Sequence, residues 1–189
     1  MTKEAATMAL TEADFMTALH GYIVAVTGLD GGVVFRGNQS RMVLPKKGAY
    51  CIYTPIIRQR RGTNLYRFDA EGLPDDKNGT DSLTALVLID VQVDFYADYA
   101  AQNAQMLEIA SRSYMGTNYF KAAGVDVRVC TAQNPRNLTG IDASNQYEER
   151  WSVTITAEIN SALIQKLPWF EDVTMKALKN VDVYFPPTD

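Results

Sequence analysis

Histidine occurs once in this chain, at His20, and cysteine twice, at Cys51 and Cys130. Zinc sites, activated nucleophiles and general bases near neutral pH draw heavily on these two residue types, so three such side chains narrow the available chemistry. His20 follows an apolar helix position by one residue and reads as a surface or partly packed imidazole. Cys51 and Cys130 sit in separate apolar, strand-like runs, where a buried free thiol is the expected state. The sequence has no phosphate-cradling P-loop, no dinucleotide-binding glycine fingerprint and no Gly-x-Ser-x-Gly elbow. No catalytic residue, cofactor or metal site is assigned on these grounds.

Charged groups remain. Asp69, Glu71, Asp75, Asp76 and Asp81 could offer oxygen ligands to a divalent cation, but their spacing departs from the EF-hand and lacks its closing Glu, so a solvated loop is the preferred reading. Asp90 and Asp94 share one strand face at about 13 Å, from roughly 3.3 Å per residue, too far apart for a glycosidase pair. With Gln92 between them they read as a hydrated or interfacial face. The basic run Arg58, Arg60 and Arg61 reads as a solvated strand end in preference to a phosphate site, because alternate residues of a strand face opposite sides. Glu149 is placed by alternation on the inward face with Tyr147, Trp151 and Val153, where a carboxylate requires a partner; a bulge at the strand start would change that assignment.

These residues need elements to position them. Thr11-Glu12-Ala13-Asp14 resembles a capping box with Asp for Glu, and Phe15, Leu19, Ile23 and Val26 recur at helical spacing as far as Gly28. After the turn at Asp30-Gly31-Gly32, Val33–Arg36 reads as a short strand. Ala49 to Arg60 is a second strand, and Pro55, which cannot donate to a ladder, marks it as an edge strand in preference to a bulge. Gly62 to Ser82 is polar and turn-rich and reads as a protruding hairpin loop at about 62–82, with Leu65–Phe68 as a possible strand extension. Leu83 to Tyr96 is the clearest strand, with Val87, Ile89, Val91, Val93 and Phe95 toward the core and Asp90, Gln92 and Asp94 away from it.

Asp98 is the expected N-cap of a helix running to about Met115, with Met106, Leu107, Ala110 and Tyr114 on its apolar side. A further helical turn over Thr117–Ala123 closes at Gly124. Val125–Thr131 is a strand, Gln133–Asn145 a loop, and Tyr147–Asn160 a long alternating strand with Glu148, Arg150, Ser152, Thr154, Thr156 and Glu158 outward. Phe170–Phe185 reads as a final strand pair or bulged strand. The pattern is an α+β fold: a mostly antiparallel sheet with two main helices packed on one face.

The chain has 189 residues, 47% of them hydrophobic and 21% charged, which fits one globular domain over 1–189. No apolar run approaches the roughly 20 residues of a bilayer span, and no signal-peptide core precedes Thr11, so synthesis in a cytoplasm is expected. A formal charge of −4 gives no counterion-release affinity for DNA.

Four pieces taken together carry a resemblance. Phe35-Arg36-Gly37-Asn38-Gln39, Tyr53-Thr54-Pro55 with the run through Arg61-Gly62-Thr63, Val91-Gln92-Val93-Asp94-Phe95-Tyr96, and Asn145-Gln146-Tyr147-Glu148-Glu149-Arg150-Trp151 resemble the neck and tail terminator-like proteins of tailed bacteriophages, in the same order. The closing Val181-Asp182-Val183-Tyr184-Phe185-Pro186 is similar to that family's C-terminal segment, so the likeness runs from Thr11 to Pro187.

The resemblance implies a virion protein assembled in the host cytoplasm, a hexameric ring of identical subunits capping the tail tube and meeting the head connector, with the sheath as a further partner in contractile tails. DNA would pass through the lumen in transit, and no membrane is involved. Subunit-interface or lumen residues are then expected among Arg58, Arg60, Arg61, Asp90, Gln92, Asp94, Glu148, Glu149 and Arg150. Rival readings are a head-tail stopper of the same particle, a small enzyme acting on cell-wall sugar, and DNA binding through Arg58, Arg60 and Arg61.

Overall fold

The computed structural model describes residues 6–40, 43–45, 47–69, 78–133, 135–141 and 146–168. In chain order these form β1 (Thr7–Met8), α1 (Glu12–Thr27), β2 (Val34–Arg36), β3 (Tyr50–Asp69), β4 (Asn78–Tyr96) and α2 (Ala100–Ser111). Then come α3 (Tyr114–Ala122), β5 (Val127–Ala132), β6 (Arg136–Asn137), β7 (Gly140–Ile141), β8 (Tyr147–Glu148) and β9 (Arg150–Pro168). The expected final strand pair over 170–185 and the Cys130 side chain lie outside the described residues.

Helix α1 forms where its cap and periodicity place it. Thr11 Oγ1 accepts from the Asp14 backbone N–H at 3.2 Å, and Asp14 Oδ2 accepts from the Thr11 N–H at 2.9 Å, so two orphan donors of the first turn are satisfied reciprocally. Gly28 ends the helix at φ 72°, a left-handed backbone that glycine adopts without strain. Phe15, Leu19 and Ile23 are fully buried, joined by Met16 and Tyr22.

The sheet runs β1-β9-β4-β3-β2, with β5 and β6 also on β9; β2 alone pairs in parallel, and the other pairings are antiparallel. The far edge of β9 is covered in turn by β6, β5 and β1, whereas the far edge of β3 is paired only from Cys51 to Tyr53 among the described residues. Strands β3, β4 and β9 have 20, 19 and 19 residues, or about 60 Å each at roughly 3.3 Å per residue, some three times the usual strand. Pairing of β4 with β9 is unbroken from Asn78↔Pro168 to Tyr96↔Arg150.

All three helices pack on one face of the sheet. Val87, Ile89, Val91, Val93 and Phe95 of β4 meet Val153, Ile155, Ala157 and Ile159 of β9 in the buried cluster with α1, α2 and α3. Burying each large aliphatic or aromatic side chain there contributes about 1.5–3 kcal/mol. The α1–α3 contact is aromatic: Tyr22 lies 5.4 Å from both Tyr119 and Phe120, centroid to centroid, and Phe15 lies 6.1 Å from Phe120. A side chain at Gly21 would collide with the Tyr119 hydroxyl, which explains a glycine in mid-helix.

Several sequence expectations change. The cap of α2 is Tyr99, in a left-handed conformation with no side-chain hydrogen bond, and not Asp98; the helix ends at Ser111, and Tyr114–Ala122 forms a third helix of its own. Leu107 and Ala110 are buried as expected, but Met106 and Tyr114 face outward. The polar stretch expected as a loop over 62–82 is strand up to Asp69 and again from Asn78, because the ladder to β4 and β9 supplies order that its own composition does not. The long alternating strand starts at Arg150; Tyr147–Glu148 belong to a separate two-stranded sheet with Gly140–Ile141, which leaves Tyr147 exposed.

Candidate functional site

Pro55 sits where β3 changes phase. Pro55 registers with Val91 but Ile57 with Asp90, so Ile56 is an extra residue and the alternation inverts. Odd-numbered residues point to the helices before the bulge, and even-numbered ones after it. Arg58 and Arg60 therefore register with Ile89 and Val87 on the helix-bearing face, while Arg61 registers with Leu86 on the outer face. Arg58 Nη1 meets Glu12 Oε2 at 3.5 Å, Arg36 Nη2 meets Glu12 Oε1 at 3.2 Å, and Arg60 Nη2 donates to Asn64 Oδ1 at 2.6 Å. The basic run is divided between two faces and builds no concave cation cluster.

The outer face carries no helix among the described residues. Its rows follow from register: Tyr50–Tyr96–Arg150, Ile52–Asp94–Ser152, Thr54–Gln92–Thr154 and Ile57–Asp90–Thr156. Arg150 Nη2 donates to Asp94 Oδ2 at 3.0 Å, and Gln92 Nε2 donates to both Asp94 oxygens at 3.1 and 2.9 Å. The Arg150 guanidinium lies over the Tyr96 ring at 5.6 Å, and Tyr96 stacks on Tyr50 at 4.5 Å with planes 3° apart. The Tyr50 hydroxyl donates to Glu148 Oε1 at 2.7 Å. One row along, Thr156 Oγ1 donates to Asp90 Oδ1 at 2.6 Å.

Four of the expected residues, Gln92, Asp94, Glu148 and Arg150, thus belong to one hydrogen-bonded and stacked network, with Asp90 adjacent. Asp94 is not wet: it is 4% exposed, so its charge depends on Arg150 and Gln92. Burial by itself would depress the Arg150 guanidinium, but its hydrogen bond and charge attraction to Asp94 hold it above its ordinary value. Burial, followed by the Glu148 carboxylate beside it, pushes the Tyr50 phenol far above its usual range. Arg150 Nε is buried without a partner among the described residues.

Glu149 stands apart from this network, on the side of Trp151 that alternation gives it, but exposed at the sheet margin and not buried. The chain breaks between β8 and β9 at this residue, its carbonyl accepts from the Ala97 N–H at 3.0 Å, and its exposed carboxylate accepts from Trp151 Nε1 at 3.1 Å. Tyr50, Tyr96 and Thr156 were not singled out from sequence. Their recruitment depends on cross-strand register, which no single segment encodes.

Chemically, the carboxylates of this face are engaged in hydrogen bonds: Asp94 accepts from Gln92 and Arg150, Glu148 from Tyr50, and Asp90 from Thr156. Among the described residues no three His, Cys, Asp or Glu side chains converge as metal ligands. Asp69 pairs with Arg67 at 3.5 Å and Asp81 registers with Phe68; Glu71, Asp75 and Asp76 lie outside the described residues. His20 sits edge-on to Tyr53 at 6.1 Å, as a packed side chain.

The sequence pieces behind the resemblance are joints of this scaffold. A Cβ on Gly37 would collide with the Thr54 side chain, Asn38 takes φ 61°, Arg36 bridges to Glu12, and Pro55 sets the phase change. No curated protein sequence matches the chain. A family model described as phage neck terminator protein matches residues 13–186, from the first turn of α1 to beyond the last described strand. Nearly the whole length being matched, the chain belongs to the phage neck terminator protein family, structural proteins of the virion neck that act with other head and tail proteins.

Proposed function

We propose that this chain is the ring-forming terminator of a phage tail: six copies, each a single domain, close an annulus that caps the tail tube and meets the head connector, after assembly in the host cytoplasm. It works by protein contact and not by catalysis. The observation that carries this reading is the outer sheet face, where Asp94, Gln92, Arg150, Tyr96, Tyr50 and Glu148 are held in fixed geometry with no helix over them among the described residues. A preorganised polar face of this kind suits a subunit contact or the wall of a channel. A chain of formal charge −4 also suits passage of DNA without retention.

The test is the mass and negative-stain image of the purified chain with and without tail tubes. Sixfold rings on tube ends are expected; a chain that stays monomeric beside intact tube ends sinks the reading. Asp90→Lys is the cleaner probe of the outer face, because Asp94 is needed to hold Arg150. Loss of rings at unchanged melting temperature is the expected outcome.

A further inference from the structure

The paired residues Ala85 and Ser161 mark a level at which the long ribbon changes character. On the helix-bearing face the buried cluster reaches Val87 and Ile159 and goes no further, with Ala85 only partly buried against it. At the same level β3 leaves the ladder. Arg61 registers with Leu86 and Leu65 with Thr84, so Gly62, Thr63 and Asn64 stand opposite Ala85 alone, and Gly62 takes φ 79°. The opposite face is open there as well: a hollow of about 310 Å³ lies against Thr63, Leu65, Thr84, Leu86, Glu158 and Asn160. Loss of helical cover, loss of register and a gap in packing all fall on one row.

Beyond that row the hydrogen bonding continues without a core. β4 stays paired with β9 as far as Asn78 and Pro168, and with β3 from Leu65 to Asp69. Leu83 and Thr84 are half-buried, and Leu65–Phe68 and Leu163 are exposed. Among the described residues at or past the row, the buried side chains are the polar Asp81 and Ser161. The Tyr66 hydroxyl bonds to the Asp81 carboxylate, yet Asp81 Oδ1 and Ser161 Oγ are buried with no hydrogen-bond partner among the described residues. Such unmade bonds oppose closure, and a ribbon with no well-packed face is marginal in water.

We propose that the ribbon past Ala85 and Ser161 is an arm that opens and recloses while the body stays folded. The ladder is common to arm and body, so the difference in cover sets the difference in opening. A protein that grips the closed arm stabilises the arm and not the body, which couples contact to ordering at this end of the molecule. The opening is a property of the free chain and does not require a ring.

Hydrogen exchange of the free full-length chain, read residue by residue by NMR, tests this, because β4 carries its own control. Asp81–Thr84 and Ile89–Val93 lie on one strand in one unbroken ladder with β9, and they differ in cover. After correction for intrinsic rates, the arm amides are expected to exchange at least about a hundredfold faster than the body amides. Leu83→Ala should accelerate the arm and leave the body unchanged, whereas Phe95→Ala should accelerate the body and leave the arm unchanged. Equal protection of the two segments, or acceleration of both by Leu83→Ala, means that they open as one unit and overturns the proposal. The parent and Leu83→Ala decide the matter even where Phe95→Ala does not fold.

Discussion

In the body of the molecule, each row across β3, β4 and β9 buries its helix-facing side chains, as with Tyr53, Val93 and Val153. In the outer half the same three strands continue in the same ladder, yet every residue of β3 from Ile56 to Phe68 is exposed. Hydrogen bonding is common to both halves, and burial is not. The contrast separates what makes a strand from what makes a core: the ladder gives order, and the helices over it provide most of the stabilisation.

The largest expected effect breaks the body alone. Phe95→Ala, at a fully buried site, should cost about 4 kcal/mol by urea denaturation, whereas Leu65→Ala on the exposed ribbon should stay within about 0.5 kcal/mol. Equal losses at the two sites would erase the distinction. Next, Arg150→Ala leaves the Asp94 carboxylate buried without its cation and should cost about 2 kcal/mol, a figure reduced because Arg150 is a third exposed. Arg150→Lys should recover only part of this, since an ammonium lacks the planar fork and stacks poorly on Tyr96.

Thr11→Ala should cost about 1 kcal/mol through loss of the α1 cap. The smallest effect, absent at neutral pH, is alkaline. Tyr50 has its phenol raised in the folded state, so its contribution is complete below the ordinary value of 10.0 and declines as pH rises beyond it, when the unfolded chain ionises first. Thermal melts of the parent should weaken above pH 10 more steeply than those of Tyr50→Phe; parallel curves would show that the Tyr50–Glu148 contact contributes nothing.

What could be read from sequence follows the same division. The α1 cap and the alternation from Val87 to Phe95 are local signals, three and two residues in period, and both stand in the structure. Asp98 was chosen as a cap by residue type, but Ala97 and Tyr99 both take positive φ, so the helix begins one residue later on a backbone that propensity does not favour. The extra residue at Ile56 moves Arg58 and Arg60 to the helix side. That is a single-residue change of phase, which alternation takes as given and cannot detect. Gln92, Asp94 and Arg150 were placed on the correct face, yet their union with Tyr50, Tyr96 and Glu148 required the register of three strands. The described parts of 62–82 read as loop because their order comes from cross-strand pairing, Leu65–Asp69 with β4 and Asn78–Ser82 with β9, which lies more than eighty residues later.

The unbroken pairing of β4 with β9 has a mechanical consequence. A force along the strand direction loads the bonds of this ladder in shear and shares it among them. β3 lacks this continuity, with register shifts at Ile56 and between Arg61 and Leu65. The molecule therefore combines a continuous two-strand spine, ending at Tyr96 and Arg150, with a third strand whose register is interrupted twice.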